Sequence, residues 1–271
     1  MSLFARLAHW RRRRTLRRFA FSDRDWEALL ARYPFIARRD ASALARLRES
    51  VSLFCAGKEF AGAGGYEVDT QTQLAIAAQA CLPVLYLDLS LYDGWTGVIV
   101  YPGEVVARRE YVDDDGVVHE YDEAIAGEAM PGGPVVLSWE DVKIAGSDAA
   151  PAYNVVIHEF AHKIDMLKGP ATGVPPFLPR FHAGFDARGF ADEITRAWQS
   201  FARAVSRWER RGAHDIDAPL IDPYAAESQV EFFAVATEAF FTQPEDVLAQ
   251  FPELYPRLVG YYLQDPLAAT S

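Results

Sequence analysis

The chain has 271 residues, with 27 Lys and Arg against 38 Asp and Glu, a net charge of −11. Half of the residues are hydrophobic and 24% are charged, which excludes a disordered chain and leaves ample length for a sizeable core. No apolar run approaches the roughly 20 residues needed to cross a bilayer, and the longest, Cys81 to Leu89, is interrupted by Pro83 and Asp88.

The average charge hides an asymmetry. Residues 1–50 hold 13 Arg against 5 acids, a net of +8, so the other 221 residues carry −19. An acidic body argues against direct, sequence-independent binding to nucleic acid. Residues 1–21 read as a basic, poorly ordered arm, and residues 22–271 as a single domain. The arm lacks the apolar segment of a signal peptide, since Trp10 is followed by Arg11 to Arg14. Two cysteines, Cys55 and Cys81, are too few for a disulfide framework and sit in apolar surroundings. They read as buried free thiols, and the protein as cytoplasmic.

In chain order, Ser22 caps a first helix whose early acids suit its positive end, and Ala41 to Phe54 forms a second. Gly57 to Gly65 reads as a glycine-rich loop, and Thr70 to Ala80 as a short helix. Then Val84–Leu87, Gly97–Tyr101, Val105–Val112, Val117–Tyr121 and Val135–Trp139 read as strands, with Asp115-Gly116 as a hairpin turn. A small, mostly antiparallel sheet is expected there. After Pro151 the helical period returns. Helices, strands and helices again make an α+β protein with a helical C-terminal half.

The strongest signal lies between Asn154, read as a helix N-cap, and the stop Gly169-Pro170. Within it stands His158-Glu159-x-x-His162. At about 100° per residue the two imidazoles differ by about 40° and share one face, with Glu159 beside them. Ile157, Phe160, Ile164 and Leu167 fall on the opposite face, toward a core. Two imidazoles one turn apart suit Zn²⁺, and the adjacent carboxylate suits proton transfer from a water that the metal activates.

A catalytic zinc takes a third protein ligand. The metzincin extension is excluded, because Asp165 and Lys168 stand where its Gly and His belong. A thermolysin-like glutamate about 20 residues on is also missing; that offset falls on His182, which reads as a surface residue. A later helix, opened by Asp222-Pro223 and running to about Phe241, carries Tyr224, Glu227, Glu231 and Glu238 in one stripe. A carboxylate buried in so hydrophobic a helix calls for a cation.

His-Glu-Phe-Ala-His-Lys-Ile-Asp at 158–165, Ile-Asp-Pro-Tyr-Ala-Ala at 221–226 and Glu-Phe-Phe-Ala-Val-x-x-Glu-x-Phe-Phe at 231–241 together resemble the Mlc titration factor A family. Leu-Pro-Val-Leu at 82–85, Ile-Val-Tyr-Pro at 99–102, Gly-Pro-Val-Val-Leu-Ser-Trp at 133–139 and Gln-Asp-Pro-Leu at 264–267 fit as well, so the likeness spans residues 50–267. The resemblance implies a bacterial cytoplasmic zinc metallopeptidase with a zincin core similar to the anthrax lethal factor catalytic domain, and an aminopeptidase-like activity. It makes His158, His162 and Glu231 the ligands of one zinc ion, Glu159 the general base and Tyr224 an oxyanion donor. It leaves Asp165, Glu227 and Glu238 without fixed roles; Asp165 and Glu238 are candidates for orienting a ligand imidazole.

A peptide or protein is therefore the expected substrate. The strand Val135–Trp139 is expected as the edge along which it lies, and Gly169–Gly189 as a loop gating the cleft. Because founding members of the family bind the repressor Mlc, the alternative reading is a regulatory protein that sequesters a transcriptional repressor, with weak or latent peptidase activity.

Overall fold

The computed structural model describes residues 3–112, 118–146, 152–214 and 218–268. Its elements are α1 (Leu3–Arg18), α2 (Asp23–Arg32), α3 (Pro34–Ala37), α4 (Ala41–Gly57), β1 (Glu59–Gly62), α5 (Thr70–Cys81), β2 (Gly97–Tyr101), β3 (Val105–Val112), β4 (Val118–Ile125), β5 (Gly127–Ala129), β6 (Val135–Ser138), α6 (Trp139–Ile144), α7 (Val155–Asp165), α8 (Ala187–Arg210), α9 (Gln229–Thr242), α10 (Pro244–Gln250) and α11 (Tyr255–Tyr262). The α+β class stands, with helices flanking a small central sheet.

The expected N-terminal helices form where their caps predict. Ser22 and Asp25 make a reciprocal capping box at the start of α2. Asp40 accepts from the N–H groups of Ser42 and Ala43 at the start of α4. The segment expected as a poorly ordered arm is instead helical through α1, which packs on α4 with Arg12 paired to Glu49 at 2.8 Å. Both cysteines are free, and burial pushes the Cys55 thiol up to about 12.

The sheet has the order β1-β2-β6-β5 and is mixed rather than mostly antiparallel. Strands β1 and β2 pair in parallel, as do β2 and β6; only β5 runs antiparallel to β6. The connection from β1 to β2 passes through α5, and the one from β2 to β6 passes through β3, β4 and β5. Connections of that length permit parallel pairing, which two-residue turns do not. Strands β3 and β4 form a separate antiparallel pair with Val112 opposite Val118; the Asp115-Gly116 turn lies outside the described residues.

Two local assignments change. The glycine-rich stretch after α4 contains β1, whose Glu59 to Gly62 pair with Gly97 to Val100. Val84–Leu87 is no strand: the Leu85 N–H bonds to Leu82 O and the Leu87 N–H to Val84 O, a chain of tight turns with Val84, Leu85 and Leu87 buried. Its apolar residues face the core without a β-ladder.

Helix α7 packs against β5, β6, α5 and α9. Its back face carries Ile157, Phe160 and Ile164, all fully buried. Phe160 meets the rings of Phe54, Tyr92 and Trp95 at centroid distances of 5.6, 5.0 and 5.7 Å. This aromatic group joins the end of α4 and the loop before β2 to the underside of α7. Phe160→Ala is expected to lower unfolding free energy by about 3–5 kcal/mol through cavity formation, read as a reduced midpoint in urea denaturation.

Candidate metal centre

Asn154 begins the site. Its Oδ1 accepts from the Ile157 N–H at 2.8 Å, capping α7 as the sequence predicts, and its Nδ2 donates to Gln79 Oε1 on α5 at 2.8 Å. The cap starts the helical repeat, whose four-residue spacing puts His158 and His162 on one face one turn apart. The helix ends at Asp165 and tightens into a 3-10 turn, Met166–Lys168, before Gly169 at φ 142° stops it.

The later helix differs from the one expected. Asp222 caps a 3-10 turn, Pro223–Ala226, and α9 starts afresh after Ser228, whose side chain accepts from the Glu231 N–H. The sequence signal for the restart was present: Ser228-x-x-Glu231 is a Ser-x-x-Glu start pattern. The stripe is thereby divided. Tyr224 belongs to the turn and Glu227 follows it directly, both exposed, whereas Glu231 and Glu238 belong to α9.

Three donor atoms converge. His158 Nε2 lies 3.0 Å from His162 Nε2 and 3.1 Å from Glu231 Oε2, and His162 Nε2 lies 3.4 Å from the same oxygen. Ligands about 2.0–2.1 Å from a tetrahedral ion stand about 3.3–3.4 Å apart, so this triangle is of the size that one such ion spans. Among the described residues these three form the group able to hold a metal ion. Side-chain exposures of 14%, 12% and 21% leave them open to a small ligand on one side. Three protein donors also leave a position free, unlike the four that close a structural site.

The charges around the triangle favour a cation. Burial opposes protonation of His158, but the carboxylates of Glu238, Glu231 and Glu159 outweigh it and raise the imidazole well above its ordinary range. Burial would likewise raise Glu231; its hydrogen bonds with the two histidines hold it down at about 2. A divalent ion satisfies the same demand for positive charge.

Glu238, which the sequence left without a role, bonds the His158 imidazole. The His158 Nδ1–H donates to its Oε1 at 2.5 Å, and the Asn154 N–H donates to its Oε2 at 2.7 Å. That acceptor fixes the tautomer, leaving the Nε2 lone pair of His158 for a metal. Asp165 does not share this work. It accepts from the N–H groups of Thr172 and Gly173 at 2.7 and 2.6 Å, pinning the chain that leaves α7. The stretch expected as a gate is thus anchored, and its Phe177, Phe181 and Phe185 pack against the core.

His182 is buried, not a surface residue. Its Nδ1 accepts from the Leu178 N–H at 3.0 Å, its Nε2 bonds Tyr261 O at 2.8 Å, and its ring stacks on Tyr261. Phe177, Phe181 and Phe185 around it were the sequence signal for burial.

Glu159 is buried beside the triangle, and desolvation raises its pKa despite the nearby histidines. Above it lies β5, which the sequence reading missed because Gly-Glu-Ala carries no strand signature. A Cβ on Gly127 would stand 2.8 Å from Glu159 Cγ and Oε1, so only glycine permits this approach. Gly127, His158, Glu159, Tyr224, Asp222 and Tyr153 line a cleft of about 260 Å³. The Tyr224 ring lies 6.2 Å from that of His158.

Strand β6 cannot serve as an edge, because it lies between β2 and β5. The edge is β5. Ala126 O receives the Ser138 N–H and the Met130 N–H reaches Pro134 O, so the hydrogen-bonded pairs fall on 126, 128 and 130. By alternation the main-chain groups of Gly127 and Ala129 point outward from the sheet.

The fold is an α+β domain whose His158, His162 and Glu231 could hold a metal ion. A sequence model of the glucose-regulated metallo-peptidase M90 family matches residues 7–263, and the chain belongs to that family. The match extends into the basic N-terminal segment, beyond the span over which the motifs resemble it. Proteins named Mlc titration factor A from Salmonella gallinarum, Salmonella paratyphi B and Salmonella typhimurium are each 33% identical to it over 244 residues, covering 90% of this chain and 87% of theirs. No helix among the described residues is long and apolar enough to cross a membrane.

Metal analysis after dialysis separates the three acids of the stripe. Glu231→Ala is expected to lose the bound metal, Glu238→Gln to weaken it about 10–100-fold, and Glu227→Ala to match the unaltered protein.

Proposed function

We propose that the protein is a zinc-dependent, aminopeptidase-like peptidase, with His158, His162 and Glu231 holding one Zn²⁺ and Glu159 acting as general base. The observation that carries the reading is the donor triangle with a buried carboxylate one residue from its first histidine. Two neutral imidazoles and a carboxylate are a zinc donor set. When bound, zinc polarises a scissile carbonyl and lowers the pKa of a water toward about 7.

The chain's own groups do the rest. Glu159, buried against Gly127, takes the proton of the attacking water and returns it to the leaving amine. Glu238 keeps the His158 proton on Nδ1, away from the metal side. Tyr224, in the wall of the cleft, donates its hydroxyl to the oxygen on which charge develops. An extended peptide adds to the open side of β5 through the main-chain groups of Gly127 and Ala129.

A second reading rests on the name of the relatives: a protein that titrates Mlc binds a transcriptional repressor. By that analogy a repressor is a second partner of this chain. Both readings call for the cytoplasm, and neither calls for direct contact with nucleic acid.

Glu159→Gln is expected to lower kcat at least about 10²-fold while one zinc per chain remains; turnover near the starting rate would remove Glu159 as the base. The same variant separates the readings in a repressor pull-down, since capture independent of catalysis supports the second. Tyr224→Phe is expected to reduce kcat on the order of 10²-fold with zinc affinity little changed.

A further inference from the structure

Lys163 follows the second histidine directly and lies on α7 one turn beyond Glu159, yet it is 4% exposed. Its Nζ donates to Met130 O at 2.6 Å and to Gly133 O at 2.7 Å. Those carbonyls flank the turn that joins β5 to β6. The Gly133 N–H closes that turn onto Met130 O at 3.0 Å, with Pro131 and Gly132 at its centre and Gly132 at φ 63°, the pattern of a type II turn. The ammonium therefore bridges the mouth of the turn.

Among the described residues Lys163 makes no ion pair. Beyond these carbonyls Nζ meets the Trp95 ring at 4.5 Å, an indole that also carries Lys58 Nζ at 3.6 Å, and the Glu159 carboxylate attracts it from beyond ion-pair distance. Lys58 in turn donates to Tyr92 O and Trp95 O. A buried ammonium with no carboxylate within ion-pair distance is costly, and an apolar side chain would fill the space at less cost. What the charge provides is two strong hydrogen bonds to one turn.

Strand β5 is thus referenced to the metal helix at both ends. At one end Gly127 rests on Glu159; at the other the turn rests on Lys163, four residues further along α7. We infer that Lys163 is a positioning residue that holds the β5 edge, and with it the substrate backbone, at a fixed height above Glu159 and the metal donors. This rests on the peptidase reading. A substrate long enough to pair with β5 uses the clamp; a substrate too short to pair does not.

The test compares alanyl-p-nitroanilide with a hexapeptide bearing a free N-terminal alanine. For Lys163→Met the hexapeptide KM is expected to rise on the order of tenfold, with its kcat, both constants for the anilide and the zinc content within about twofold. Gly132→Ala strains the same turn without touching the lysine, since a Cβ there meets nothing within 4 Å. It is expected to give a smaller shift of the same kind, and it decides the matter if Lys163→Met fails to fold. Equal changes for both substrates, unchanged hexapeptide KM, or loss of zinc would overturn the inference while leaving the peptidase reading in place. If the unaltered protein cleaves neither substrate, the peptidase reading fails and this inference fails with it.

Discussion

Glu238 is a carboxylate buried in a helix whose residues from Phe232 to Thr242 are all buried. Such a group must find partners inside the protein, because an unpaired buried charge costs several kcal/mol. It finds the Nδ1–H of His158 and the N–H of Asn154, both from the start of α7. That requirement fixes where α9 meets α7, which tautomer His158 adopts, and where its Nε2 points. Asn154 extends the constraint to Gln79 on α5. Glu231, two turns earlier on α9, then falls opposite both histidines without a separate device to place it.

Helix α7 also supports the edge strand. Its polar face presents the two imidazoles and Glu159, while Gly127 of β5 comes down onto that carboxylate. The back of α7 is held by Phe160 among Phe54, Tyr92 and Trp95, so it has little freedom to shift under the edge strand. One rigid element thus references both the metal donors and the strand along which, in the proposed reading, the peptide lies.

The parts of the site that were legible in the sequence are those set by local periodicity. His158, Glu159 and His162 share a face because of the helical repeat, and the Asn154 cap announces where that repeat starts. Glu231 was not legible from spacing alone, since the stripe from Tyr224 to Glu238 assumed one unbroken helix, and Ser228 breaks it. Only the family resemblance selected Glu231 beforehand. Strand β5 was invisible because its identity comes from pairing with β6, a non-local contact that Gly-Glu-Ala does not advertise. The parallel pairing of β2 with β6 was hidden for the same reason, and Val84–Leu87 shows the converse, apolar residues in the core without a ladder.

Membership of the M90 family and the donor triangle together make metal-dependent peptide hydrolysis the central claim. Its most direct test is a titration of the metal-stripped protein with Zn²⁺ while hydrolysis of a peptide with a free amino terminus is followed. Activity absent from the stripped protein, rising in proportion to zinc and levelling at one equivalent per chain is the predicted result. Undiminished hydrolysis without metal, or none with one equivalent tightly bound, would contradict it.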